Sequence, residues 1–309
     1  MSSLPMSGKV ALVTGANTGI GRVTATQLAL QGAHVFLACR SMAKTGAVLD
    51  DIAKRSGGKA KAEFLPLDLG DLSSVQQCAE AFLLRDLPLH LLVNNAGLAG
   101  QKGITASGFE LTFGVCHVGH FLLTQLLVNR LKTSAPARVV VVASKAHRHA
   151  KGIDFEILHQ PTNSFAGMRE YSVAKLANVL FASELARRLA GTGVSTYSLH
   201  PGIVASDVWR ALPWPIASLV KRFMLTPQQG AATSLYCSTS PDCANESGLY
   251  YDDCHAVDPS SIAQDIGLAN HLWIESERWV AAYTAVTSDW KGRREPSERP
   301  FTIVQNTYS

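Results

Sequence analysis

The 309-residue sequence predicts an α/β fold built on a doubly wound parallel sheet in a single domain. Three observations lead there. Short apolar runs alternate with longer stretches of helical periodicity, the pattern of repeated βα units. Runs such as Val139-Val140-Val141-Val142 lack polar alternation, which marks strands covered on both faces. The first run leads directly into a glycine-rich turn, Thr14-Gly15-Ala16-Asn17-Thr18-Gly19-Ile20-Gly21.

Strands are expected at 9–13, 33–38, 64–67, 90–93, 137–142, 194–199 and 248–251. Gly32 ends the helix after the first strand, and Gly191 to Gly193 end the helix that carries Lys175, because glycine accepts the left-handed conformation at a helix stop. Thr226-Pro227-Gln228-Gln229 supplies a cap, a proline in the first turn and a glutamine that can return to the cap, so a helix starts there. From about Trp290 the chain turns polar and irregular, with Arg293, Arg294, Pro296 and Pro300. The expected division is a Rossmann-type domain over 1–289 and a flexible tail over 290–309.

Composition narrows the function. A hydrophobic content of 47% suits a large core, and a net charge of +4 suits an anionic small molecule. Clustered Lys and Arg of the kind that grips nucleic acid are missing, so nucleic acid is not an expected partner. Six cysteines without CxxC spacing read as reduced thiols. No signal peptide fits ahead of Gly8, and no apolar run approaches the ~18 to 20 residues of a membrane span. A cytoplasmic protein is expected, with peripheral membrane contact and homo-oligomerisation both open.

The strand, glycine turn and following helix form a phosphate site, since first-turn amides point at an anion. Gly15 permits the tight turn, while Gly19 and Gly21 let backbone approach the phosphates. Arg40 lies nineteen residues beyond Gly21, where an NAD-specific site places an acid for the ribose hydroxyl. A guanidinium there suits a 2'-phosphate, so NADP is the expected cofactor; the plainer reading is a solvated arginine at a strand end. Tyr171 and Lys175 stand four residues apart on one helical face, where the ammonium favours the ionised phenol. That pair points to carbonyl and alcohol redox chemistry.

With Thr14-Gly-x3-Gly-Ile-Gly21, Asp68, Asn94-Asn95-Ala96-Gly97, Ser144, Tyr171-x3-Lys175 and Pro201-Gly202 in order, the chain resembles the short-chain dehydrogenase/reductases over roughly 7–255. Ala38-Cys39-Arg40, the run from Gly119 to Thr124, the run from Lys175 to Phe181 and Leu199-His200-Pro201-Gly202 look like the retinol dehydrogenase branch. The resemblance implies NADPH-dependent reduction of retinal or another apolar aldehyde. It implies that Asn17, Thr18 and Ile20 join the three glycines at the phosphates. Asp68 and Leu69 would border the adenine, Asn95, Ala96 and Gly97 the adenosine ribose, and Pro201, Gly202, Ile203, Val204 and Ser206 the nicotinamide end. Ser144 would hold the carbonyl oxygen, Tyr171 would protonate it, and Lys175 would bind the nicotinamide ribose; by itself such a serine is more often a helix cap or strand end, so its case depends on Tyr171 and Lys175.

Two departures stand out. Cys116 occupies the place of a family asparagine that helps hold a proton-relay water, and a thiol is a weaker hydrogen-bonding group. The apolar N-terminal anchor of membrane-bound relatives is missing from the sequence. His117 with His120, or His147 with His149, could suggest a metal, but no nearby carboxylate or cysteine set completes a site, and none is expected. Ile216, Leu219, Val220, Phe223 and Met224 repeat at helical spacing after Trp209 and Trp214. They read as an apolar lid over substrate, as ordinary helix packing, or as a segment entering a membrane surface. The leading function is an NADP(H)-dependent oxidoreductase of an apolar aldehyde, ketone or alcohol. The alternative, motivated by Cys116, is an NADP(H)-binding interaction protein with little or no catalysis.

Overall fold

The computed structural model describes residues 4–202 and 226–284. Its strands are β1 (Val10–Thr14), β2 (His34–Cys39), β3 (Lys61–Pro66), β4 (Leu91–Asn94), β5 (Ala137–Val142), β6 (Val194–His200), β7 (Tyr250–Asp252) and β8 (His255–Ala256). They form one sheet in the order β3-β2-β1-β4-β5-β6-β7-β8, parallel from β3 to β7, with β8 antiparallel at the edge. The helices are α1 (Gly19–Leu30), α2 (Met42–Ser56), α3 (Leu72–Leu83), α4 (Leu111–Thr133), α5 (Met168–Arg188), α6 (Pro227–Gly230), α7 (Ala232–Thr239) and α8 (Ile266–Thr284).

The expected doubly wound architecture is therefore present, and the departures have physical causes. β3 starts three residues earlier than its apolar run, because it is an edge strand whose Lys61, Ala62 and Glu63 keep contact with water. β7 starts two residues late, because Gly248 adopts φ 82° and turns the chain before pairing begins. The exposed two-residue β8 is too short to leave a hydrophobic signature. Helix α4 meets the length and composition of a membrane span, contrary to expectation, but 78% of its apolar window is buried against the rest of the protein. Ile203, Val204, Ser206, the proposed lid over 209–224 and the tail over 290–309 lie outside the described residues.

Local chemistry sets the helix ends. Ser41 and Asp71 cap α2 and α3 by accepting bonds from Lys44 N and Ser73 N. At Gly57 the chain turns left-handed and α2 stops, with Gly57 and Gly58 amides bonded to Lys54 and Ala53 carbonyls. The expected capping box at Thr226 and Gln229 is formed. Within α4, Gly114–Val118 widens into a π stretch, a geometry frequent at functional sites.

Apolar side chains fill both faces of the sheet. One cluster joins it to α3, α4, α5 and α8, and the other joins it to α1, α2 and α7. In the first, Phe121 lies 5.0 Å from Trp273 and 5.6 Å from Phe181, ring centre to ring centre. Deleting such a ring costs about 3–5 kcal/mol. His117 sits inside this aromatic group, 5.1 Å from Phe113. Its Nε2 meets Ser276 Oγ at 2.9 Å, while its Nδ1 is buried without a partner. Burial, helped by His120, pushes its pKa down to about 3 from 6.5.

That shift makes stability depend on pH. The unfolded chain protonates His117 near 6.5 and the folded chain does not until about 3, so stability falls as pH drops below 6.5. Between pH 7 and 5 the loss from one such histidine is about 2 kcal/mol. His117→Phe, which keeps the ring packing, is expected to remove that share of the slope. Urea midpoints of both proteins at pH 7, 6 and 5 measure it, and parallel slopes would refute the assignment.

Candidate active site

The strand order reverses between β1 and β4, and open α/β sheets bind ligands in the crevice at such a point. A cleft of about 590 Å³ lies there, walled by the turn after β1, the ends of β2, β4, β5 and β6, and the start of α5. Gly15 has φ 65°, and a Cβ on it would lie 2.9 Å from Ala96. A Cβ on Gly21 would lie 2.3 Å from Asn95 Nδ2 and 2.4 Å from Gly15 O, so only glycine lets the turn close on β4. Thr18, at the cap position of α1, makes no side-chain bond to the helix, which leaves first-turn amides to meet an anion.

One hydroxyl ties this turn to the opposite wall. Thr14 Oγ1 accepts the amides of Asn95 and Ala96, each at 2.9 Å, and meets His120 Nε2 at 2.8 Å. Two accepted bonds leave Thr14 its proton to donate, so His120 Nε2 is the acceptor and its Nδ1 donates to Cys116 O at 3.0 Å. Burial pushes the His120 pKa down to about 4; the Cys116 carbonyl opposes that and Lys175 adds to it. The ring is neutral at pH 7. Asn95 Nδ2 completes the tie by donating to Thr14 O at 2.8 Å.

At one end of the cleft, exposed Arg40 and Lys44 stand beside the start of α2. Asp68 is the one carboxylate lining the cleft among the described residues, and its Oδ1 accepts the Gly70 amide at 2.9 Å. The deep end is built by β5 and α5. Lys175 is only 3% exposed, and its ammonium donates to Val142 O at 2.8 Å, a carbonyl shared with Asn178 Nδ2 at 3.2 Å. The ammonium also sits 5.7 Å from the centre of the Tyr171 ring. Ser144 Oγ accepts the Ala146 amide at 3.2 Å, so the expected helix cap is real. That bond uses a lone pair and leaves the hydroxyl proton free to donate.

The cleft gathers Gly15, Asn17, Thr18, Gly19, Ile20, Gly21, Arg40, Asp68, Leu69, Asn95, Ala96, Gly97, Ser144, Tyr171, Lys175, Pro201 and Gly202. Cys116 lies beneath it, since a Cβ on Gly97 would be 3.4 Å from both Cys116 Sγ and Lys175 Nζ. Among the described residues its thiol reaches Leu98 O alone, at 3.9 Å.

Sequence reasoning assigned no role to Lys44 or His200, which also line the cleft. Lys44 follows Arg40 by four residues, a spacing that could have marked it. His200 Nδ1 accepts the Lys145 amide at 3.3 Å, and burial pulls its pKa to about 4, against Asp252 and with Lys145, His147 and Lys175. A second recess of about 840 Å³ lies at the opposite, starting ends of β1, β4, β5 and β6, with Lys9, His90, Arg138 and Arg187 in its lining. Arg138 is engaged by the carbonyls of Cys237 and Ser240, and Arg187 by Glu184, so the chemistry belongs to the smaller cleft.

A family profile described as short chain dehydrogenase matches residues 9–156. Human retinol dehydrogenase 11 is 45% identical over 276 residues, covering 88% of this chain and 86% of that one. The WW domain-containing oxidoreductase of Danio rerio is 44% identical over 285 residues, 89% of this chain and 69% of that one. A solved structure from Mycobacterium paratuberculosis superposes with a TM-score of 0.72 at 32% identity, over 89% of this chain and 94% of that one.

The packing around Gly21 gives a direct test. Gly21→Ala forces its new carbon into Asn95 and the Gly15 carbonyl, and is expected to cost on the order of 1–3 kcal/mol as an overpacked site. Gly46→Ala, in α2 with nothing within 4 Å of the added carbon, is expected to be neutral or to stabilise by up to ~1 kcal/mol. Thermal melts of the two variants side by side decide it, and equal melting temperatures would show that the turn has slack.

Proposed function

Because the chain belongs to the short-chain dehydrogenase/reductase family, in its retinol dehydrogenase branch, we propose that it interconverts apolar aldehydes and alcohols with NADP(H), retinal being the favoured substrate. Carbonyl and alcohol oxidoreduction follows from the family. The observation that carries the finer reading is the cationic end of the cleft, where Arg40 and Lys44 would meet a 2'-phosphate and the one lining carboxylate among the described residues accepts the Gly70 amide. An acid at that end would repel the phosphate; a guanidinium binds it with charge-assisted bonds.

The residues present fit a dinucleotide. First-turn amides of α1 suit its pyrophosphate, Gly21 leaves the room a side chain would fill, and Asn95 to Gly97, which line the cleft, would border its ribose. NADPH, when bound, supplies the hydride. The protein supplies orientation and a proton. Ser144 donates its free hydroxyl proton to the substrate oxygen, and Tyr171 transfers its phenolic proton to that oxygen as negative charge develops there. Lys175 holds its charge beside the phenol and is anchored by Val142 O, so the pair stays assembled even though Cys116 offers it little. Val115, Met168 and Leu98 give this end apolar walls, which suits a lipophilic carbonyl.

Two measurements test the proposal. NADPH is expected to bind at least tenfold more tightly than NADH, roughly 1.4 kcal/mol, with Arg40→Asp narrowing or reversing the preference. Fluorescence titration reads both affinities, and equal values in the unmodified protein would remove the NADP assignment. Tyr171→Phe is expected to lower turnover of retinal by ~10² to 10⁴ while leaving NADPH affinity nearly intact. Lys175→Met should reduce both. Near-full activity of Tyr171→Phe in a steady-state assay would overturn the mechanism.

A further inference from the structure

Ser144 is useful only if its hydroxyl stays where the substrate oxygen arrives, yet it sits where β5 has ended and the chain enters a short 3-10 turn, Lys145–His149. Such a position is held by its neighbours or not at all. His147 bonds the Ser144 carbonyl twice. Its side chain is fully buried, and its Nδ1 meets Ser144 O at 2.7 Å while its backbone amide donates to the same carbonyl at 3.1 Å. Nε2 of the same ring accepts the Ser260 amide at 3.0 Å. An acceptor at Nε2 fixes the proton on Nδ1, so the neutral imidazole donates to Ser144 and accepts from Ser260 at once. Burial lowers the His147 pKa, the Ser144 carbonyl opposes this, and Arg148 and His149 add to it. The ring edge also packs against Tyr250, 4.9 Å between centres.

We infer that His147 is a positioning residue: by bonding the Ser144 carbonyl and the Ser260 amide through its two ring nitrogens, it fixes the Ser144 hydroxyl and makes its placement depend on the segment beyond β8. This rests on the proposed role of Ser144 in carbonyl reduction. A second histidine completes the frame from the other side, where His200 Nδ1 receives the Lys145 amide and the Lys145 ammonium pairs with Asp252 at 2.6 Å. The strand-end turn is thus pinned at successive residues, and His147 ties the Ser144 carbonyl itself to a segment more than a hundred residues later, beside the Lys145 link to Asp252 and the Arg148 link to Asp258 O.

A double-mutant cycle on the full chain tests this. His147→Phe keeps the ring volume against Tyr250 and removes both bonds. It is expected to lower kcat for retinal on the order of ten- to a hundred-fold with NADPH affinity unchanged, because misplacement of a reacting group has costs on that scale. In a Ser144→Ala background the same change is expected to have little further effect. His147→Asn, which retains a short donor toward Ser144 O, should recover most of the loss. Equal losses with and without Ser144, or no recovery in His147→Asn, would reduce His147 to a packing residue and overturn the inference. Hydrogen exchange gives a readout independent of turnover. Amides over 144–150 and at Ser260 are expected to exchange faster in His147→Phe, or in His147→Asn at Ser260 if the first variant does not fold. Unchanged exchange would overturn the clamp. An unmodified protein that turns over no aldehyde would count against the proposed function instead, leaving the exchange result to decide on His147.

Discussion

The hydroxyl of Thr14 carries the structure's central constraint. It stands at the end of the first strand and gathers two amides from the end of the fourth and a ring nitrogen from α4. These are the points where the sheet changes winding direction, and a parallel sheet has no hairpin there to hold its strands in step. Without this tie the glycine turn and the Asn95 loop would be joined chiefly by the hydrogen bond from the Asn95 side-chain amide to Thr14 O. With it, the two walls of the cleft form one rigid piece. The close approach of Gly15 and Gly21 to Ala96 and Asn95 follows from the same tie, as does the intolerance of side chains there.

The deep end of the cleft manages buried polarity by a uniform device. Histidines at 120, 147 and 200 are each desolvated, and each accepts a hydrogen bond on one nitrogen from a backbone amide or a hydroxyl. Burial favours the neutral ring, and the neutral ring is the form that can accept. The cationic charge is then concentrated on Lys175, held by a strand carbonyl beneath the tyrosine. Histidine gives the frame hydrogen bonds without adding competing charge. An arginine or lysine at any of these places could donate but could not accept.

Much of this was legible in the sequence because it depends on short-range rules. The β-branched run at 137–142 could only be a covered strand, and its boundaries agree with the structure. The capping box at Thr226, the glycine stop at Gly32 and the i, i+4 pairing of Tyr171 with Lys175 are equally local. Edge features were not legible. β3 begins with Lys61-Ala62-Glu63 because water faces it, and β8 is two exposed residues that no periodicity can announce. The histidines were visible as residues but not as roles, since the partners of His147 and His120 lie 113 and 106 positions away. No apolar run was expected to approach the length of a membrane span, whereas Leu111–Thr133 folds as one long helix whose apolar window is 78% buried.

The widened turn at Gly114–Val118 has a meaning in the vocabulary of insertions and deletions. A π turn is an α-helix carrying one residue more than its hydrogen bonding needs, so α4 can lose a residue there and still close as a regular helix. The same deletion rotates everything on one side of it by about 100° relative to the other. Phe113 and the loop before it would then part register with His120 and the Leu122-Leu123 packing that follows. The carbonyl of Cys116, which now accepts from His120, would be drawn into the ordinary ladder. Length in this stretch therefore serves the site rather than the helix: a shorter chain could still build the helix, but not the helix that holds Thr14 in place.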